Sequence, residues 1–138
     1  MLSILIGIND VWHDLFENPK GVGIVRFEKI YRMVIEETKE RLPNIKIVLC
    51  EPFVLSGSAT KEKYESFLLV KSYAKVVNKL AREYDLHFLP LQKVLDDAAK
   101  RFGVDKILYD GVHPSVAGAG LIADEWLNLF KGEINKQF

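Results

Sequence analysis

The stretch that decides the fold opens the chain: Leu2-Ser3-Ile4-Leu5-Ile6-Gly7-Ile8-Asn9-Asp10. Residues 2–8 read as a strand, with Leu2, Ile4, Ile6 and Ile8 on one face and Leu5 on the other. Both faces are largely apolar, the pattern of a central parallel strand covered by helices on both sides. A secretory leader would have a basic start and a small-residue cleavage site. Here no Lys or Arg precedes Lys20, and the apolar run passes straight into Gly7–Asp10. A central strand has neighbours on both sides, and for one side of this one the sequence offers none.

Outward from that strand, helical and strand patterns alternate. A loop with a short helix runs from Asn9 to about Asn18 and is broken by Pro19, Gly21 and Gly23. Ile24, Phe27, Tyr31, Val34, Ile35, Thr38 and Leu42 recur at helical spacing until Pro43-Asn44. Residues 45–50 (IKIVLC) form a second strand, and residues 51–61 a loop. Phe67, Val70, Tyr73, Ala74, Val77, Leu80, Ala81 and Tyr84 mark a second long helix. Residues 86–89 (LHFL) are a third strand, stopped by Pro90. Leu91, Val94, Leu95, Ala98 and Phe102 give a helix ended by Gly103, and a loop then runs to His113. Pro114 suits the start of the last helix, which carries Leu121, Ile122, Trp126, Leu129 and Phe130. This order predicts a three-layer α/β/α fold, with right-handed crossovers and a parallel sheet of about three strands. Ligands of such sheets bind outside the carboxyl ends of the strands. Those ends are Gly7–Asp10, Glu51-Pro52 and the loop after Leu89, with Asp110 and His113 in the loop before the last helix.

Composition narrows the function. The 138 residues are 49% hydrophobic and 28% charged, which excludes disorder and predicts one domain over residues 1–138. Nineteen Lys+Arg balance nineteen Asp+Glu, and the pI is near 6.8, so no electrostatic footprint for nucleic acid exists. No apolar run reaches the eighteen or so residues of a membrane span. A single cysteine, Cys50, excludes an internal disulfide framework and fits a reducing, cytoplasmic setting.

Two segments carry chemistry. In Tyr109-Asp110-Gly111-Val112-His113-Pro114-Ser115, a carboxylate three residues before a histidine can turn back and accept its Nδ1 proton. That fixes the tautomer and frees Nε2 as a base. A loop histidine with a carboxylate neighbour is the plain alternative. In Gly7-Ile8-Asn9-Asp10, Asn9 can aim its side-chain NH₂ at an oxygen that becomes negative, and Gly7 lets a ligand or another backbone approach. The plain alternative there is a turn.

Taken together, the segments resemble two blocks of the SGNH hydrolases, the GDSL-type esterases and lipases. The G-x-N-D block is matched by Gly7, Asn9 and Asp10, and the D-x-x-H block by Asp110 and His113. The surroundings, G-I-N-D-V-W-H, L-P-N-I-K-I-V-L-x-E-P-F and D-G-V-H-P-S-x-A-G, are similar over nearly the whole chain and in the family's order. The resemblance implies a flavodoxin-like SGNH fold and hydrolysis of a small-molecule ester, such as an acetylated sugar, through an acyl-serine. His113 would be the base and acid, Asp110 its orienter, and Asn9 with Gly7 the oxyanion side. No metal or organic cofactor is implied.

One departure is decisive. The family's nucleophile sits in a Gly-Asp-Ser block that precedes G-x-N-D, and no Gly-Asp-Ser occurs in the 138 residues. The expectation is therefore the C-terminal part of a hydrolase, truncated at its N-terminus and inactive by itself. Its apolar first strand is expected to form a homo-oligomer, unless a missing N-terminal segment covers it. The alternative function is a non-catalytic, self-associating α/β module. Ser56 and Ser58 lie in a loop at the pocket rim, a poor place for a nucleophile that must sit within about 3 Å of its base. Ser3 lies inside the strand, and Ser115 reads as a helix-start residue. Water activated by Asp110 and His113 would react slowly, without the covalent route.

Other constellations are weaker. Asp10, His13, Asp14 and Glu17 share a helix face, which suggests a metal but reads first as a solvated acidic turn. Gly21-Val22-Gly23 lacks the preceding strand and following Lys-Ser/Thr of a phosphate loop. Glu51 ends a strand where a glycosidase carboxylate could stand, but its partner Asp110 is better explained by His113. Trp12 and Trp126 read as packing residues, and Cys50 as an inert buried thiol.

Overall fold

The computed structural model describes residues 1–15 and 20–134. Three short strands, β1 (Leu2–Ile4), β2 (Ile47–Cys50) and β3 (His87–Leu89), form a parallel sheet in the order β1-β2-β3. Leu2, Ser3 and Ile4 pair with Ile47, Val48 and Leu49, and Val48, Leu49 and Cys50 pair with His87, Phe88 and Leu89. The helices are α1 (Ile8–Asp14), α2 (Ile24–Arg41), α3 (Tyr64–Phe67), α4 (Val70–Glu83), α5 (Gln92–Phe102), α6 (Val104–Ile107) and α7 (Val116–Ile134). None of them is long and apolar enough to cross a membrane.

The all-apolar IVLC of β2 is buried on both faces because the pleat sends alternate side chains into two cores. Ile47 and Leu49 meet Phe27, Tyr31 and Ile35 of α2 and Tyr73, Val77 and Leu80 of α4. Val48 and Cys50 meet Leu95 of α5, Ile107 of α6 and Phe130 of α7. Burial pushes the Cys50 thiol up to about 11, so it stays protonated and inert at neutral pH.

The predicted three-layer architecture holds, but its first strand is shorter than expected. Pairing ends at Ile4 rather than Ile8. Gly7, at φ 129°, turns the chain out of the sheet, and Ile8 already begins α1. Leu5 and Ile6 are therefore not covered: they stand 43% and 45% exposed. Val34 and Leu42 of the α2 stripe, and Phe102 of α5, also lie at the surface instead of in the core. The loop before His113 contains α6, which periodicity does not reveal because one helical turn holds too few positions to show a period.

Candidate active site

The Asp110–His113 loop is closed at its base by antiparallel pairing of Leu108 with Pro114. Tyr109 N–H donates to His113 O at 2.8 Å, and Ser115 N–H to Ile107 O at 2.9 Å. Gly111, at φ 102°, makes the reversal possible. Ser115 then starts α7 as expected, its Oγ accepting from Gly118 N–H at 3.1 Å. Within this turn Asp110 Oδ1 accepts the backbone N–H groups of Val112 and His113, each at 2.9 Å. Its Oδ2 lies 2.7 Å from His113 Nδ1. Burial pushes the Asp110 carboxyl up, but the hydrogen bonds from His113 and Val112 outweigh it and hold the group below the usual carboxylate value. An ionised Asp110 accepts the Nδ1 proton, which places the imidazole lone pair on Nε2.

A second loop braces this one. Leu55 N–H donates to Gly111 O at 2.8 Å and Ala59 N–H to Asp110 O at 3.0 Å. Buried Thr60 donates its hydroxyl to Leu55 O at 2.5 Å and accepts from Gly57 N–H at 2.9 Å. A Cβ on Gly111 would fall 2.4 Å from Thr60 Oγ1, and one on Gly57 would fall 2.2 Å from Gly111 N, so the loops meet backbone to backbone. Glu51 fixes the loop's root: its Oε2 accepts Leu91 N–H at 2.7 Å and Gln92 N–H at 2.9 Å. Gln92 in turn bonds both N–H and O of Val54 at 3.0 Å. Glu51 thus ties the end of β2 to the segment that follows β3.

His113, Asn9, Leu5, Ile6, Ile8, Pro52, Phe53, Val112 and Pro114 line one cleft of about 180 Å³ at the carboxyl ends of the strands. The sequence-predicted residues Asn9 and His113 therefore line the same cleft. Asn9 stands in the first turn of α1 rather than in a loop, and it is exposed. Gly7 is buried beneath the cleft, where an added Cβ would lie 3.2 Å from the Pro52 ring. His113 Nε2 has no hydrogen-bond partner among the described residues. Ser56 and Ser58 are exposed and make no hydrogen bond to it.

Asp10 is engaged elsewhere, its Oδ1 accepting Val22 N–H at 3.1 Å. Glu17 of the suggested metal face lies outside the described residues, and among those described no three His, Cys, Asp or Glu side chains converge. Trp12 packs edge-on against Phe67, as expected, but its ring also lies 6.2 Å from that of His113. Asn9 and Trp12 stand three residues apart on α1, a spacing that puts both on one side of the helix. Thr60 and its bracing role had no signal in the sequence.

Comparison with known proteins gives this site its context. Residues 1–121 match the model of the GDSL-like lipase/acylhydrolase family. An acetylxylan esterase of Geobacillus stearothermophilus is 35% identical over 130 residues, covering 91% of this chain and 57% of that protein. Its crystal structure superposes with a TM-score of 0.75 at 31% identity, over 92% of this chain and 57% of that one. Structures of catalytic mutants of that esterase carry alanine in place of a serine or of an aspartate. A Parabacteroides merdae protein, described as a GDSL-like lipase, superposes with a TM-score of 0.81 at 39% identity, over 93% of this chain and 59% of that one. This chain thus spans less than two thirds of the length of these relatives.

Proposed function

Because the chain belongs to the GDSL-like lipase/acylhydrolase family, we propose that it carries the base half of a serine ester hydrolase acting on small acyl esters such as acetylated carbohydrate. The observation that carries this reading is the 2.7 Å contact of Asp110 with His113 Nδ1, which leaves Nε2 beside a cleft that Asn9 also lines. In the proposed reaction a serine from outside the 138 residues attacks the ester carbonyl and gives its proton to His113 Nε2. Asp110 holds the resulting imidazolium in place. The Asn9 side-chain amide donates to the carbonyl oxygen as it becomes negative, and Gly7 lets the turn that carries it lie against Pro52. His113 then protonates the leaving alcohol, and water releases the acyl group by the same steps in reverse.

The test is a chimera in which the part of the Geobacillus acetylxylan esterase without a counterpart here is joined ahead of Met1. It should hydrolyse nitrophenyl acetate, and His113→Ala should lower kcat by roughly 10³-fold or more. A folded chimera without activity would overturn the reading. A second reading, a non-catalytic self-associating module, is favoured by one observation: no hydroxyl reaches His113 Nε2 among the described residues. In that case the chain assayed by itself and its His113→Ala form give the same background rate, and the chimera does too.

A further inference from the structure

The cations of α4 fall into two groups. Lys79 is neutralised, its Nζ lying 2.8 Å from Glu28 of α2 and 3.8 Å from Glu83. Lys71, Lys75 and Arg82 lie on another flank and line a groove of about 780 Å³ along the β3 edge. All three are exposed, and none has a hydrogen-bond or ion-pair partner among the described residues. Their placement is electrostatically unfavourable in the chain by itself. Lys71 and Lys75 are like charges one turn apart, a pairing that destabilises a helix. Lys71 also stands in the first turn of α4, at the positive end of the helix dipole, and that turn holds no acidic residue. Among the described lining residues the one carboxylate is Glu51, whose Oε2 is occupied by the backbone N–H groups of Leu91 and Gln92. A groove whose cations repel one another and lack partners is completed by an anion.

We propose that this groove binds a linear oligosaccharide that bears carboxylates, as a second contact for the carbohydrate chain whose acyl ester enters the cleft of Asn9 and His113. From Lys71 to Arg82 the cations span about 16 Å of helix axis, which suits anionic groups repeated along a chain rather than one small anion. Between them stands Asn78, half-buried and without a hydrogen-bond partner among the described residues, and half-buried Phe88 lines the same groove. An amide suits a sugar hydroxyl, and an apolar ring suits the C–H face of a sugar. An acidic peptide fits less well, because an extended peptide would pair with the outer edge of β3. Glu51 N–H donates to Leu89 O, so by the alternation of a parallel ladder the N–H and C=O of Phe88 point outward. The next outward position is Pro90, which has no N–H to offer. The groove also reaches the cleft. Glu51 lines the one and Pro52 the other. A Cβ on Gly7 would fall 3.5 Å from Cβ of Tyr73, two residues from Lys71, so the Lys71 end is the end nearer the cleft. The anion half stands on the groove alone, whereas the sugar half rests on the reading of an acyl-carbohydrate esterase.

The experiment titrates this chain with a galacturonate oligosaccharide at low salt, by calorimetry and by amide resonances. Binding should shift the amides of Lys71, Lys75 and Asn78 and should weaken as salt is raised. Lys71→Gln with Lys75→Gln and Arg82→Gln should weaken it at least about 10-fold, while Lys79→Gln should leave it unchanged. The triple variant should unfold at an equal or higher urea midpoint, since Lys and Gln are similar helix formers and the self-repulsion is gone. A lower midpoint overturns the electrostatic premise. Absence of binding overturns the proposal, as does equal loss with Lys79→Gln or equal binding of a neutral xylose oligosaccharide. Tighter binding of an oligoglutamate overturns it in favour of an acidic peptide. In an active chimera, the triple variant should raise KM for an acetylated galacturonate oligosaccharide and leave kcat on nitrophenyl acetate unchanged. Binding without that effect on KM upholds the anion half and refutes the sugar half. A folded chimera without activity refutes the sugar half together with the ester-hydrolase reading, and the titration by itself then decides the anion half.

Discussion

The two edges of the sheet are built differently. At the β3 edge, Pro90 follows the strand directly, and the adjoining groove of about 780 Å³ is lined by Lys71, Lys75, Asn78, Arg82 and Gln92 along with Phe88. Proline and cationic side chains are the usual means of keeping an edge from pairing. The β1 edge is more apolar: Leu5, Ile6 and Met33 are exposed around it, no Lys or Arg occurs before Lys20, and Arg41 of α2 lines the adjoining groove beside Met1 and Leu2. The β1 edge adjoins the cleft of Asn9 and His113.

Stability should show the same asymmetry. Leu89 of β3 is 1% exposed, and Leu89→Ala should lower the unfolding free energy by about 2–5 kcal/mol. Leu5→Ala should change it by no more than about 0.5 kcal/mol, since that side chain leaves no cavity. Urea midpoints decide this, and equal costs at the two positions would break the contrast between the edges. A smaller effect tests the brace behind the open edge. Gly111→Ala forces a side chain into φ 102° and against Leu55 O at 2.5 Å, which should cost about 1–3 kcal/mol. It should also shift the His113 ring resonances, whereas Gly120→Ala, which meets open space on α7, should not. The smallest effect concerns acid. The Asp110 carboxyl binds its proton more weakly folded than unfolded, so its contribution to stability is present above the unfolded value of about 4 and is lost as pH falls below it. Asp110→Asn should therefore flatten the acid limb of urea midpoints measured between about pH 2.5 and pH 6. Parallel curves for the two proteins would show that His113 and the backbone donors do not hold the carboxylate in solution.

Much of this was legible from residue order. The strand and helix patterns give the three-layer architecture, since an all-apolar run such as IVLC is stable only between two helical layers. Pairing of Asp110 with His113 was legible because three residues of separation close a turn locally. The end of β1 was not, because Leu5 and Ile6 look like strand residues, and only the turn at Gly7 takes them out of the sheet. The brace at Thr60 was equally hidden: its partners are Leu55 and Gly57, but what it supports is Gly111, far along the chain.

The sequence by itself determined the fold class, the candidate dyad and the absence of a Gly-Asp-Ser block, because each depends on residue type and local spacing. Only the tertiary structure decided that Asn9 and His113 share a cleft, that Glu51 ties the end of β2 to the segment after β3, and that the exposed edge adjoins the site. Those are distances between residues remote in the chain, and they are set by how the layers pack, which no local pattern encodes.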